Sequence, residues 1–368
     1  MKRVILLIIS IMVLFGMLLG QDVKAYRKEY NPKTIAANYT EEANIKRILQ
    51  GYFENRWNEE KEGRIIENKY IMPDSLQMSY ANLKSKLNHK WCKEIKEGIE
   101  WFNVDVDINS INTVDDLLEV DVNNKSTFLY KGEEKTSSLN EHHIVYLNNK
   151  NGNMLVERDI YNDLLSDDYD IATVKDYCST KEVFEEYINQ KIKEIISNLE
   201  TADDDIEKYK EDMQIYIEEK KPKHLCSSYD GSEAASWARS HVDDSEEFDG
   251  QDCTNFVSRA LYAGGLPTDG TWYYHSNAWI RVIELRSWLL EKGYAYEVNG
   301  VAYGKKGDVI QFYNKSKCQW SHSVIITYVN DRYGNIYVTA HTNKADNVSI
   351  RNYYPSSRYS NARTLRLS

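Results

Sequence analysis

One stretch constrains this chain more than any other: Gly250-Gln251-Asp252-Cys253-Thr254-Asn255-Phe256-Val257-Ser258-Arg259-Ala260. Phe256, Val257, Ala260, Leu261 and Ala263 recur at helical spacing, and Gly264-Gly265 supplies a stop. Asp252 suits the N-cap position, so Cys253 falls on the first helical turn. Unpaired amides and the helix dipole favour negative charge there, and the thiolate is the reactive form of cysteine. A lone cysteine is more often a buried structural residue. The polar neighbours Gln251, Asp252, Thr254 and Asn255 argue for chemistry instead.

A thiolate nucleophile needs a base, usually histidine. Gly307 to Tyr313 reads as a strand, Ser321 to Val329 as a second, and Ile336 to His341 as a third. Asn330 to Asn335 forms the turn between the last two. Folding that hairpin about its turn sets His322 roughly opposite residues 341–343, so His322 and His341 can share a face, depending on register. In this reading Cys253 attacks a carbonyl carbon and His322 takes the thiol proton. His341 orients His322, with Asn343 as the alternative third residue, and the amide of Cys253 donates to the oxyanion.

The rest of the chain divides near residue 225. Of 368 residues with formal net charge -11, those from Cys226 onward hold 15 acidic and 15 basic side chains, so the acidity lies before them. An acidic balance argues against nucleic acid as a partner. Five of the eight Trp and ten of the 17 Gly also lie in the C-terminal part, which suits a shaped cleft with tight turns. Residues 1–25 read as a secretory signal: Lys2 and Arg3, an apolar run from Val4 to Leu19, then Val23-Lys24-Ala25 as cleavage site. The expected product is secreted or held at the cell surface, with no stable membrane insertion after cleavage. Residues 26–165 read as an α+β domain. Helical patterns begin with Thr40 as N-cap and cover Leu83 to Ile99; strands follow at Val104 to Ile111, Leu117 to Val122, Thr127 to Tyr130, His143 to Leu147 and Met154 to Ile160. Adjacent His142 and His143 point to opposite faces, and packing accounts for them. Residues 166–225 read as a charged helical connector, striped by Val183, Tyr187, Ile192, Ile195, Ile196 and Leu199 and interrupted near Thr201 to Asp205.

The C-terminal domain, residues 226–368, resembles the bacterial putative amidase domain, a papain-like family. The resemblance runs from about Tyr229 to Tyr353 and rests on Ala234 to Ala238, Asp252 to Ser258, Ala263-Gly264-Gly265, Trp272-Tyr273-Tyr274, Gly307 to Ile310, His322, and Ala340-His341-Thr342. A more distant likeness is to cell-wall endopeptidases of the NlpC type. The likeness implies an α+β, papain-like domain whose cysteine helix packs on an antiparallel sheet. It implies amide hydrolysis with Cys253 as nucleophile, His322 as base and His341 as third member. The expected substrate is a peptide or peptidoglycan-type amide, and no motif in the sequence calls for a cofactor or metal. Asp252 and Asn255 are supporting candidates, and Tyr229 is a candidate for the oxyanion by the same likeness. Where the family commonly has Asn-Pro before the cysteine, this chain carries Asp243-Asp244-Ser245-Glu246-Glu247, and Arg259 replaces a usual Gln. The acidic run would oppose a thiolate weakly, through solvent. Trp272, Tyr273, Tyr274 and Trp279 are read either as a cleft wall or as core. The N-terminal layout resembles the nuclear-transport-factor-2-like fold in pattern.

Two other functional readings compete with hydrolysis. Cys253, His322 and His341 are acceptable zinc ligands, without an accompanying HExxH or CxxC. A noncatalytic wall-binding or adaptor protein is the second, signalled by an inert Cys253. Cys92, Cys178, Cys226 and Cys318 permit three full pairings, and we expect no obligatory disulfide.

Overall fold

The computed structural model describes residues 32–150, 153–161, 180–218, 229–248, 252–301, 304–330, 334–342 and 344–367. The signal reading, Cys178, Cys226 and Asn343 therefore lie outside the described residues. The chain divides into a short unit, residues 1–47, and a large one, residues 48–368, which carries the sheet and every candidate site residue. None of the described helices is long and apolar enough to cross a membrane.

The first half is two helices, an antiparallel meander and a third helix. Helix α1 (Pro32–Glu62) ends beside α2 (Leu76–Glu94), whose N-cap Ser75 accepts a hydrogen bond from the Met78 amide at 3.0 Å. Helix α1 starts before Thr40, so Thr40 lies inside the helix rather than at its cap. Strands β1 (Ile99–Val114), β2 (Leu117–Tyr130), β3 (Ser137–Lys150) and β4 (Asn153–Tyr161) pair in sequence order. They outrun the sequence expectation because polar residues such as Asn123 and Asn124 continue the ladder. Along β2, Val120, Val122, Asn124, Ser126, Phe128 and Tyr130 are buried, which makes one face the inner one.

Helix α3 (Lys181–Glu218) corrects the connector reading. It is continuous through Thr201, whose hydroxyl bonds the Asp205 carboxylate at 2.7 Å on the same helix instead of capping a new one. Its buried stripe is Phe184, Ile188, Ile195, Ala202, Ile206, Tyr209 and Met213, while Ile196 stands exposed. Phe184, Ile188 and Ile195 join Tyr80, Ile144, Tyr146 and Ile160 in one core cluster. Among the described residues, then, this helix has a committed face; burying such a side chain stabilises by roughly 1.5–3 kcal/mol.

The second half places α4 (Gly231–Ser240), α5 (Cys253–Ala263), α6 (Asn277–Ile280) and α7 (Val282–Glu291) with strands β5 (Ala295–Asn299), β6 (Val309–Asn314), β7 (Gln319–Val329), β8 (Ile336–Ala340), β9 (Ala345–Ser349) and β10 (Tyr359–Leu367). The fold class is α+β, with antiparallel pairing throughout the sheet. The order is β1-β2-β3-β9-β8-β7-β6-β10-β5, with β4 on β3. Ser138 opposite Asp346 and Leu139 opposite Ala345 thus join both halves in one sheet.

The core of the second half gathers Ala238, Val257, Trp272, Trp288, Ile325 and Leu365 with their neighbours. Each buried indole finds an acceptor: Trp272 donates to Ser258 Oγ at 3.2 Å, Trp279 to Asn255 Oδ1 at 2.8 Å, and Trp288 to Asp269 at 3.1 Å. Helix α4 approaches the start of β6 backbone to backbone. A Cβ on Gly307, at φ +89°, would meet Gly231 Cα at 2.2 Å, so glycine is required.

Candidate active site

Helix α5 begins at Cys253, as its residue pattern predicts. The capping differs. Asp252 occupies the N-cap position with φ -90° and ψ -3°, but its carboxylate makes no cap hydrogen bond. It is drawn sideways: Oδ2 lies 2.5 Å from His341 Nδ1, and Oδ1 accepts from Asn255 Nδ2 at 2.8 Å. The Asp252 amide donates to Thr342 Oγ1 at 3.1 Å, pinning the helix start to the end of β8.

His341 follows β8 and is 1% exposed. Its ring stacks on Phe256, one turn into α5, with centroids 4.7 Å apart. Its Nε2 lies 3.1 Å from the Asp244 carbonyl oxygen, which can only accept. With a carboxylate at one nitrogen and a carbonyl at the other, both nitrogens are placed to donate. Such a buried contact is demanding, since losing one partner leaves the other unsatisfied at a cost of about 1–3 kcal/mol.

Cys253 is 8% exposed, and its Sγ lies 3.7 Å from Thr254 Oγ1. Thr254 donates in turn to Ser323 Oγ on β7 at 3.3 Å. Asn255 is held on three sides, donating to Asp252 and to Glu247 at 2.9 Å while accepting from Trp279.

The acidic run has a structural role that sequence reasoning missed. Asp243 pairs with Lys125 of β2 at 2.6 Å, and its carbonyl accepts from Lys344 at 2.9 Å. Asp244 gives its carbonyl to His341, and Glu247 accepts from Asn255 and Tyr274, with His275 3.3 Å away. Burial alone would push the Glu247 carboxyl up; hydrogen bonds from Tyr274 and Asn255 outweigh it and hold it below its ordinary value. The run is a strap across the start of α5 rather than a distant opponent of the thiolate. Its signal in the sequence was its place, six to ten residues before the cysteine.

The structure brings together Asp252, Asn255 and His341 at the helix start that Cys253 opens, and sets the His322 ring among Phe312, Tyr353 and Tyr359. Ser323 faces α5; His322, next along β7, points to the other face. There it is 1% exposed, its ring stacked with Tyr353 at 5.6 Å and with Phe312 and Tyr359 at 6.1 Å. The reason is register. The β7–β8 ladder runs Val329–Ile336 and Tyr328–Tyr337, skips Thr327, then continues Ile326–Val338 and Ile325–Thr339. That bulge moves each later residue of β8 by one place against β7, so His341 continues opposite Ser323 and on the face away from His322.

The remaining candidates divide. Tyr229 donates to the Gly307 carbonyl at 2.6 Å and packs on the core, which explains it as a brace rather than an oxyanion donor. Trp272 and Trp279 are core, whereas Tyr273 and Tyr274 are exposed on the surface beside the strap. Cys92, Cys253 and Cys318 are free thiols. Burial pushes the Cys92 thiol up to about 12, against the nearby Arg351. Among the described residues no group of three His, Cys, Asp or Glu is placed to hold a metal ion.

No curated protein and no solved structure matches the chain. Residues 228–365, which contain Asp252, Cys253, His322 and His341, match the family model described as the putative amidase domain.

Proposed function

We propose that the chain is a cysteine-dependent amidohydrolase with Cys253 as nucleophile, His341 as proton carrier and Asp252 as the group that orients it. The observation behind this reading is the 2.5 Å contact of His341 Nδ1 with Asp252 at the start of the helix that Cys253 opens. It departs from the sequence expectation in giving His341, not His322, the base role. The helix-on-sheet layout is the one expected of a papain-like domain, and the match to an amidase family supports hydrolysis of an amide.

The reaction begins when His341 takes the Cys253 proton and the thiolate adds to the amide carbonyl carbon. The carbonyl oxygen becomes an oxyanion, which the N-terminal amides of α5 stabilise. Collapse breaks the C–N bond, and His341 returns the proton to the departing amine. Water, losing its proton to His341, then cleaves the thioester and restores the thiol. For this to run, the Asp244 carbonyl must release Nε2 so that the ring can accept a proton. The expected compartment is extracellular, through residues 1–25, and the expected substrate an amide in a peptide or in cell-wall peptide.

The engaged state of both His341 nitrogens favours one other reading, a noncatalytic adaptor. Alkylation of each thiol, followed by mass spectrometry across pH, separates the two. Rapid modification of Cys253, lost in His341→Ala and kept in His322→Phe, supports the enzyme. Modification of Cys253 no faster than that of buried Cys92 supports the adaptor. Loss in His322→Phe alone would return the base role to His322.

A further inference from the structure

Cys253 Sγ is the near end of a buried chain of polar side chains that the hydrolysis above does not use. Gln311 of β6 stands opposite Ser323 across the β6–β7 ladder and opposite Arg363 across the β6–β10 ladder. Residues directly opposite in antiparallel strands share a face, and here it is the face on which α5 packs. Sγ lies 3.7 Å from Thr254 Oγ1, and Thr254 donates to Ser323 Oγ at 3.3 Å. Gln311 Nε2 donates to the same Ser323 oxygen at 3.3 Å and to the Val282 carbonyl at 2.8 Å. Arg363 closes the far end, its Nε and Nη2 donating to Gln311 Oε1 at 2.9 and 2.7 Å. Thr254, Ser323 and Gln311 are fully buried, and Arg363 is 6% exposed.

The direction of the chain is set from the far end. Arginine has donors only, so Gln311 turns Oε1 to Arg363 and its Nε2 hydrogens to Val282 and Ser323. Nearer the cysteine the hydrogens must be counted. Two hydroxyls and a thiol bring three hydrogens to two contacts, Ser323 with Thr254 and Thr254 with Cys253. With Thr254 donating to Ser323, the Ser323 oxygen takes hydrogens from Thr254 and Gln311, and its own meets no acceptor among the described residues. Buried polar groups are paired as a rule. A thiolate removes the surplus: Ser323 then donates to Thr254, Thr254 donates to sulfur, and every hydrogen is placed. Hydroxyl hydrogens rotate to suit their partners, so the reversal is a turn of two O–H bonds.

We propose that Thr254 is a further catalytic residue, which donates its hydroxyl hydrogen to the Cys253 thiolate, and that Ser323 and Gln311 are positioning residues that aim it. The inference rests on Cys253 being the nucleophile, and it adds a second stabiliser of the thiolate beside the dipole of α5. A hydrogen bond to an ion is stronger than one to a neutral partner, so the chain favours the thiolate over the thiol. Only the S–H bond breaks in this step. Its proton goes to His341, and the electron pair stays on sulfur.

The test is the rate at which iodoacetamide alkylates Cys253 in the full chain at neutral pH, read by mass spectrometry beside a melt of each variant. Thr254→Val, which keeps the shape and loses the hydroxyl, should slow it about tenfold, and Thr254→Ser should restore it. Ser323→Ala should slow it less, about threefold, and should add nothing in the Thr254→Val background, because Ser323 acts through Thr254. A mere packing defect would add to the first loss and would not be rescued by serine. If Thr254→Val does not fold, Ser323→Ala carries the test, and an unchanged rate there overturns the proposal. A wild-type rate in Thr254→Val, no rescue in Thr254→Ser, or additive losses in the double variant would also overturn it while leaving Cys253 as nucleophile. A wild-type Cys253 no faster than Cys92 would remove the nucleophile and this proposal with it.

Discussion

Asp252 is asked to do two things that compete, and the side chain can do only one. A carboxylate at an N-cap normally satisfies amides of the first turn, worth about 1 kcal/mol. Here it leaves them and takes His341 Nδ1 and Asn255 Nδ2. That choice leaves the first-turn amides of α5 without a carboxylate cap, as the oxyanion of the proposed reaction would require. Asp252→Asn should keep the fold and lower amidase turnover a hundredfold or more, since the amide can favour the wrong imidazole tautomer. Turnover measured beside a circular dichroism melt decides it, and wild-type turnover in the variant would remove Asp252 from the mechanism. Asn255→Ala should cost both, because Asn255 also accepts from the buried Trp279 indole; a melting point lowered by several degrees is the expected result. Residue type alone marks Cys253 and His341 as candidates, because thiol and imidazole announce their chemistry. The Asp244 carbonyl cannot be found that way, since every residue has one.

Elements are legible where one period dominates. The alternation of β2 and the helical spacing of α5 come directly from the residues. The relation between elements is not legible in the same way. One skipped residue, Thr327, flips the faces of a hairpin, and no glycine or proline marks it. Likewise Ile195 of the stripe read along α3 is buried and Tyr187, Ile192 and Leu199 pack against the core, whereas Ile196 stands exposed and Phe184 and Ile188, which that reading passes over, are buried; several apolar residues offer alternative faces, and packing chooses. Two predictions belong at this scale. Gly307→Ala should destabilise by about 2 kcal/mol or more, as the added carbon strikes the α4 backbone and the φ is positive; a denaturant midpoint checks it. Asp308, beside it, is fully buried, and burial pushes its carboxyl up to about 7 despite the Arg366 partner. An acid whose folded value lies above its unfolded value of about 3.9 stabilises most below that value. Its contribution is lost as pH rises from about 4 to 7 and is flat above. Asp308→Asn should therefore flatten the stability curve across that window, measured by melts at successive pH values; an unaltered slope would contradict the assignment.

At the scale of the molecule, composition separates the two halves, and the sheet reunites them through Ser138–Asp346 and Leu139–Ala345. The Arg239 guanidinium reinforces the seam by binding Asp346 at 2.8 Å and the Thr136 carbonyl at 2.7 Å. A charge count cannot reveal such a seam, because backbone amides make it. Cutting the chain near residue 226 would therefore not release a finished fold. The fragment would carry β9 as an uncovered edge, its amides and carbonyls open to any other strand. Short as β9 is, that edge is apolar at Ala345 and Val348 and would recruit a second copy of itself. Light scattering should find the fragment more self-associated than the intact chain. In the intact protein the N-terminal half is the resident occupant of that edge, through Ser138 and Leu139 of β3.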